Sequence, residues 1–362
     1  MRYKLRLRHL QHALAENQIH ALLVIALPNV RYLSGFSGSS AVLLVTEEDT
    51  VFFSDGRYSQ QARDEVKGAH IVIGQSNLFD AAATYLKEHI RSRRGWRLGF
   101  EADYLTVSSR KRLAGRLPSG IRLTETHALV ENARIIKDTD EIDLMQKAAK
   151  VGAGLLSDAT KAIKNGKNEA EVAAEMEYSA RAAGADAMSF STIIAGGARS
   201  ALPHARASMT AIPSGSFVVC DFGVILAGYC SDRTRTVFKG RPNADARNVY
   251  QAVLEAQRAG VEAIKPGVTA GEVDAACRKV LKSNNLDKYF THSTGHGVGL
   301  EIHESPRLAA GQTQVLQPGM VVTVEPGVYI PGKWGVRIED MVLVTAHGHE
   351  VLAPGSKELI AL

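Results

Sequence analysis

Short apolar runs separated by helical periodicity organise the first 130 residues. Ala21-Leu22-Leu23-Val24-Ile25-Ala26, Ala41-Val42-Leu43-Leu44-Val45, Val51-Phe52-Phe53 and Ile71-Val72-Ile73 have the length and content of strands. The spacing over 3–17, 58–66 and 79–91 predicts helices between them, and the alternation predicts an α/β layer. Asn29 to Ser40 reads as a Gly/Ser-rich connection without the GxGxxG spacing of a dinucleotide site. Around Asn132–Lys137 the texture changes, which divides the chain into 1–132 and 133–362. Asp138 with Glu141 three positions on is a capping box that opens a long helix. Further helices are predicted over 168–183, 244–264 and 270–283, with β-rich stretches at 216–238 and 320–345. On the 270–283 helix, Val273, Ala276, Cys277, Val280 and Leu281 share one face, so Cys277 reads as a core residue.

Composition narrows the class. The 362 residues are 45% hydrophobic and 22% charged, an ordinary globular balance. A net charge of +5 without a long basic block gives no reason to expect a nucleic-acid or membrane partner. Three cysteines make no disulfide framework and fit a reducing, cytoplasmic setting. The basic start lacks the apolar core of a signal peptide. The longest apolar run, Ala21–Leu27, is far short of the ~20 residues that span a bilayer.

The chemistry sits in the second half. Asp221, Asp232, Glu325 and Glu339 all fall inside apolar strand patterns, where a charge is costly unless paired or bound to a cation. With a turn centred on Leu226-Ala227, Asp221 and Asp232 would be direct cross-strand neighbours, ~5 Å apart at Cβ. Glu325 and Glu339 are equidistant from Gly332 in the Pro331-Gly332-Lys333 turn, a second facing pair. Arg233, Arg235 and Arg337 are too few to neutralise four acids. His292, His296 and His303 lie in one glycine-flanked run, and His204 is a further imidazole. Carboxylates with imidazoles suit divalent manganese, cobalt or zinc, and two such ions would balance four carboxylates.

The strings Asp221-Phe222-Gly223, Ser231-Asp232-Arg233-Thr234-Arg235-Thr236, His292-Ser293-Thr294-Gly295-His296-Gly297, Val324-Glu325-Pro326-Gly327 and Arg337-Ile338-Glu339-Asp340 resemble the pita-bread metallopeptidases. Within that family they are most similar to aminopeptidase P and Xaa-Pro dipeptidase (prolidase). Arg31-Tyr32-Leu33-Ser34-Gly35-Phe36 and Asp55-Gly56-Arg57-Tyr58 extend the resemblance over the first domain. It implies an α/β N-terminal domain of the creatinase/prolidase type followed by an α+β pita-bread catalytic domain.

The resemblance also implies two divalent metal ions per chain. Asp221, Asp232, His296, Glu325 and Glu339 are the implied ligands, with Asp232 and Glu339 bridging and Thr234 close by. His204, His292, His303 and Arg337 are implied to contact substrate or the transition state, and Glu325 to move a proton. Arg337, two strand residues from Glu339, shares its face and would receive the C-terminal carboxylate of a dipeptide or a backbone carbonyl of a longer peptide. Met341 is a minor departure from the family pattern. The expected activity is hydrolysis of Xaa-Pro bonds in short proline-containing peptides, by a cytoplasmic homodimer. A broader metalloaminopeptidase such as a Met-Xaa enzyme and an inactive peptide-binding pseudoenzyme are the alternatives. The intact ligand set speaks against the pseudoenzyme, and against a metal-free hydrolase resembling creatinase.

Overall fold

In the N-terminal unit the apolar runs become strands β1 (Ala21–Val24), β2 (Val42–Thr46), β3 (Thr50–Asp55), β4 (His70–Gly74), β5 (Trp96–Glu101) and β6 (Ile121–Thr126). The computed structural model describes residues 1–74, 77–90 and 94–362, and the chain divides into Met1–Arg134 and Ile135–Leu362. The six strands form one mixed sheet in the order β4-β3-β2-β1-β5-β6. β2 is antiparallel to both its neighbours, and the other pairs are parallel. Leu23, Leu44, Phe53, Leu98 and Phe100 bury one face in the unit's core.

Helices α1 (Tyr3–Glu16), α2 (Leu27–Ser34), α3 (Ser59–Glu65), α4 (Leu78–His89), α5 (Val107–Arg116) and α6 (Leu129–Arg134) complete this unit. The expected helix over 79–91 ends at His89, and its expected last position, residue 91, lies outside the described residues. α2 corrects the reading of 29–40 as connection throughout. Pro28 occupies its first turn, and Gly35 stops it in the left-handed conformation at φ 85°. α6 belongs with the first unit, because Arg134 Nη1 donates to buried Asn29 Oδ1 at 2.6 Å. The division therefore falls two residues later than the sequence texture suggested.

In the second unit, helix α7 (Thr139–Lys164) opens with the Asp138–Glu141 capping box and packs against α8 (Glu169–Ala182). The strands are β7 (Ala187–Met188), β8 (Ile193–Gly196), β9 (Ser216–Phe222), β10 (Val224–Leu226), β11 (Tyr229–Cys230) and β12 (Arg233–Lys239). After α9 (Ala244–Ala263) and α10 (Ala270–Ser283) come β13 (Gly295–Gly297), β14 (Glu304–Leu308), β15 (Val321–Val324), β16 (Gly327–Ile330), β17 (Trp334–Arg337), β18 (Asp340–Val344) and β19 (His349–Val351). β14-β13-β15-β18-β19 is the largest sheet, beside β12-β9-β8, β11-β10-β7 and the pair β16-β17. Two cores hold the helix pairs to the strands. Ala162, Met176, Ile194 and Phe222 join α7 and α8 to β8 and β9. Val253, Val273, Cys277, Val322 and Val342 join α9 and α10 to β15 and β18. Cys277 is thus a core residue.

One register differs from the sequence reading. β12 pairs with β9 so that Asp221 lies opposite Thr234, not Asp232. The turn is Ala227-Gly228, both at positive φ (47° and 83°), one residue later than expected. A shift of two in register preserves the face, so Asp221 and Asp232 become diagonal neighbours instead of direct ones. The second hairpin keeps the expected register. Gly327 pairs with Arg337 and Val324 with Asp340, on either side of the Glu325–Glu339 level.

Candidate metal centre

Of the four acids only Asp221 lies within a strand. Asp232 falls between β11 and β12, Glu325 between β15 and β16, and Glu339 between β17 and β18. At these breaks one ladder hands over to another, and the side chains can turn toward a common point. Ligand atoms of Asp232, His296 and Glu339 lie within 4.8 Å of one another. His296 Nε2 is 3.6 Å from Asp232 Oδ2 and 3.5 Å from Glu325 Oε1. Its Nδ1 meets the Gly297 carbonyl at 2.9 Å, which assigns the proton there and leaves the Nε2 lone pair facing the carboxylates.

The strand that carries His296 is wedged in place. A Cβ at Gly295 would lie 2.0 Å from the Thr323 carbonyl oxygen, and one at Gly297 2.2 Å from that of Ser305. Thr323 Oγ1 accepts the His296 N–H at 3.1 Å and reaches Glu325 Oε1 at 3.5 Å. Preceding this strand, Thr294 is pinned to Asp274 of α10 by its hydroxyl (2.8 Å), and its carbonyl accepts the Glu325 N–H at 2.7 Å. Met341, the departure from the family pattern, is buried with its sulfur 3.2 Å from the Asp232 nitrogen.

The electrostatics call for cations. Burial, followed by the charges of Glu339 and Asp221, pushes the Asp232 carboxyl well above its ordinary range. Burial with Glu325 and Asp221 does the same to Glu339, and burial raises Glu325 to about 8. Asp221 Oδ1 and Glu339 Oε1 are buried without a hydrogen-bond partner. Arg233 and Arg235 do not relieve this crowding, because both turn to Asp340 (3.9 and 2.7 Å). Oxygens left unpartnered beside a neutral imidazole are a donor set that fits divalent ions. Burial lowers His296 to about 4, which keeps that imidazole neutral.

Arg337 is brought to the site in a different capacity from the expected one. Its guanidinium pairs with Asp221 and donates to Thr234 Oγ1 (3.1 Å), the Pro203 carbonyl (3.1 Å) and the Tyr329 hydroxyl (2.6 Å). With these donors engaged and the side chain buried, it braces Asp221 and does not face a substrate carboxylate. Thr234 in turn donates to Glu339 Oε2 at 2.7 Å. His292 is also turned inward, with Nδ1 2.8 Å from the Ser293 carbonyl and Nε2 2.9 Å from Tyr329 Oη. Burial and the Arg337 charge lower it to about 4, so it accepts the Tyr329 hydroxyl as a neutral ring. His303 is exposed, with its ring centroid 4.4 Å from that of His296. Burial and then the charge of His204 lower His303, which puts exposed His204 within electrostatic reach of it.

Two residues escaped the sequence reading. Tyr329 is buried, and its hydroxyl joins Arg337 to His292. A buried tyrosine beside the Glu325-Pro326-Gly327 motif needs such a partner, and that was the available signal. Arg307 is exposed on β14 directly opposite His296, and only the strand pairing reveals it.

Comparison with known proteins agrees over the whole chain. Residues 143–346 match the model for metallopeptidase family M24, and 6–136 match that for the creatinase/prolidase N-terminal domain. The chain is 39% identical to the Xaa-Pro dipeptidase of Pyrococcus furiosus, over 99% of this chain and 100% of that one. The solved Xaa-Pro dipeptidase from Bacillus anthracis superposes with a TM-score of 0.92 at 41% identity, covering 99% and 100% of the two chains. The X-Pro aminopeptidase from Thermotoga maritima follows at 0.88 and 31%, covering 96% and 99%. Both expected domains, the creatinase/prolidase-type α/β domain and the pita-bread catalytic domain, are matched.

Proposed function

The chain belongs to metallopeptidase family M24, and from that premise we propose that it hydrolyses the Xaa-Pro bond of dipeptides and of short peptides at their N-terminus. Two divalent ions, manganese, cobalt or zinc, would be held by Asp221, Asp232, His296, Glu325 and Glu339. The observation that carries this reading is the convergence of Asp232, His296 and Glu339 on one point, with buried carboxylate oxygens unpartnered there. The metal ions would supply Lewis acidity toward the scissile carbonyl and a nucleophile at neutral pH.

The protein's own groups do the rest. Asp221, whose other oxygen is paired with Arg337, has one oxygen free for a metal ion, and the substrate's free α-amine would lie against this carboxylate and its ion, which would favour N-terminal residues. Glu325, only partly buried as a side chain and adjacent to His296, takes the proton of the attacking water and returns it to the prolyl nitrogen. His303 and His204 donate to the carbonyl oxygen as negative charge develops on it. Proline's nitrogen has no hydrogen, so the site needs no acceptor there. Arg307 is the exposed cation beside His296 and suits the C-terminal carboxylate of a dipeptide. The buried, unbridged Cys220, Cys230 and Cys277 support a reducing, cytoplasmic setting, and a homodimer completes the reading.

Product analysis tests the proposal. Chelator-treated protein resupplied with manganese, cobalt or zinc should cleave Ala-Pro far faster than Ala-Ala. Cleavage of Ala-Pro in preference to Ala-Pro-Ala would identify a dipeptidase. Equal rates on proline and non-proline substrates would sink the Xaa-Pro assignment.

A further inference from the structure

Behind Glu339, on the side of β12 away from Thr234's hydroxyl, lies a buried cation that the proposed chemistry does not use. Arg235 is 2% exposed. Its Nη1 donates to the backbone carbonyls of Thr234 (2.9 Å) and Glu339, and its Nη2 to Asp340 Oδ1 at 2.7 Å. Asp340 Oδ2 accepts from Lys357 Nζ at 2.8 Å and from Gln257 Nε2 at 3.0 Å. Lys357 Nζ also reaches Gln257 Oε1 at 2.9 Å, so the carboxylate that orients Arg235 is itself fixed from two directions.

The two carbonyls under the guanidinium belong to residues whose side chains meet elsewhere, Thr234 Oγ1 donating to Glu339 Oε2 at 2.7 Å. The Glu339 N–H also donates to the Thr234 carbonyl at 3.1 Å. Each residue of this pair is thus held through both its main chain and its side chain. Glu339 needs such a hold. It sits in the break between β17 and β18, so its carbonyl lacks a regular ladder partner, and its carboxylate faces like charges that push it outward. A planar guanidinium can bond two carbonyls and a carboxylate together, whereas a lysine ammonium is a point charge on a flexible stem.

We infer that Arg235, oriented by Asp340 and Lys357, is a positioning residue for the metal centre, clamping the peptides of Thr234 and Glu339 so that the Glu339 carboxylate stays aimed at the ions. This rests on the metal-centre reading above. Supporting residues around metal ligands typically set affinity within a factor of ~10–100.

The test is manganese titration of the full chain by calorimetry, with unfolding of the metal-free protein followed in parallel. Arg235→Lys should fold, retain the charge and bind manganese ~10–100-fold more weakly, because the fork is lost. Lys357→Met, which leaves the clamp and loosens only its anchor, should lose a few-fold. Arg235→Met serves as the full deletion. If it does not fold, Arg235→Lys and Lys357→Met decide. Wild-type affinity in Arg235→Lys would overturn the inference, whatever happens to its thermal stability. Failure of the wild type to bind manganese, cobalt or zinc would overturn both the metal-centre reading and the clamp. Tight manganese binding without Xaa-Pro cleavage would count against the substrate alone, and the Arg235→Lys affinity would still decide the clamp.

Discussion

Glu101 in the N-terminal unit and Glu339 in the second are both buried carboxylates, and their surroundings have opposite character. Glu101 accepts the N–H groups of Ile25 (2.6 Å) and Ala26 (2.7 Å) on one oxygen and the Asn29 amide (2.6 Å) on the other. Burial pushes its carboxyl up to about 7, and these donors act against that rise. They tie the end of β5 to the start of α2. Glu339 has other carboxylates as its neighbours, one donor on Oε2 and none on Oε1. An acid whose lone pairs are filled by neutral donors is a structural staple. A set of acids left short of donors and close together is a socket for positive charge.

Substitution should separate the two kinds of acid most sharply in activity. Asp232→Asn or Glu339→Gln should reduce Xaa-Pro hydrolysis to background and cost bound metal by elemental analysis. The same change removes like-charge repulsion, so the metal-free variant should melt no lower than metal-free wild type. Full activity after verified metal removal would erase the distinction. Next in size, His303→Ala should lower kcat by ~10²–10³-fold with metal retained, as for loss of one donor to a developing oxyanion. His296→Ala should lose metal, and equal metal loss in both would break the division between these rings.

Glu101→Ala should do the reverse of Glu339→Gln. Leaving the Ile25, Ala26 and Asn29 donors unsatisfied should cost about 2–4 kcal/mol in urea unfolding of the N-terminal unit, with metal content intact. The remaining contrast is in pH dependence. The folded protein holds protons on Asp232, Glu325 and Glu339 above their ordinary values of 3.8 and 4.5. Where the native state binds more protons than the unfolded one, stability falls as pH rises. Metal-free protein should therefore lose stability from about pH 4 upward, through the value near 8 for Glu325. Metal binding displaces these protons, so the Tm gap between loaded and metal-free protein should widen between about pH 6 and pH 8. A constant gap would mean that the acids are already ionised in the empty site.

Much of this site was legible because local patterns encode it. The Gly332 turn set the Glu325–Glu339 register, the Asp138 box placed α7, and the apolar face shared by Val273, Cys277 and Leu281 placed α10. The Ala227-Gly228 turn was misplaced because alanine at φ 47° carries none of the Asn-Gly or Asp-Gly signal that marks such hairpins. The strand break at Glu339 was invisible, since Ile338 and Met341 carry the apolar pattern across it, whereas Pro326-Gly327 does mark the break at Glu325. Arg337 shares a face with Glu339 as alternation requires, but a face does not say which acceptors a guanidinium will find. Asp221 and Tyr329 reach Arg337 from two other strands. The Arg235–Asp340 pair spans 105 positions and has no local signature at all.

Gly295 and Gly297 confine the evolution of this protein as well as its structure. With neighbouring carbonyls 2.0 and 2.2 Å from where a first side-chain carbon would stand, no other residue can occupy either position without moving a strand. The floor of the centre is therefore closed to gradual mutational drift, and single substitutions cannot slide His296 along its sheet. Variation is less constrained on the exposed segment around His204, where Leu202 is 53% and Met209 76% accessible. A library aimed at new peptide preferences should spend its diversity on that segment and leave the glycines untouched.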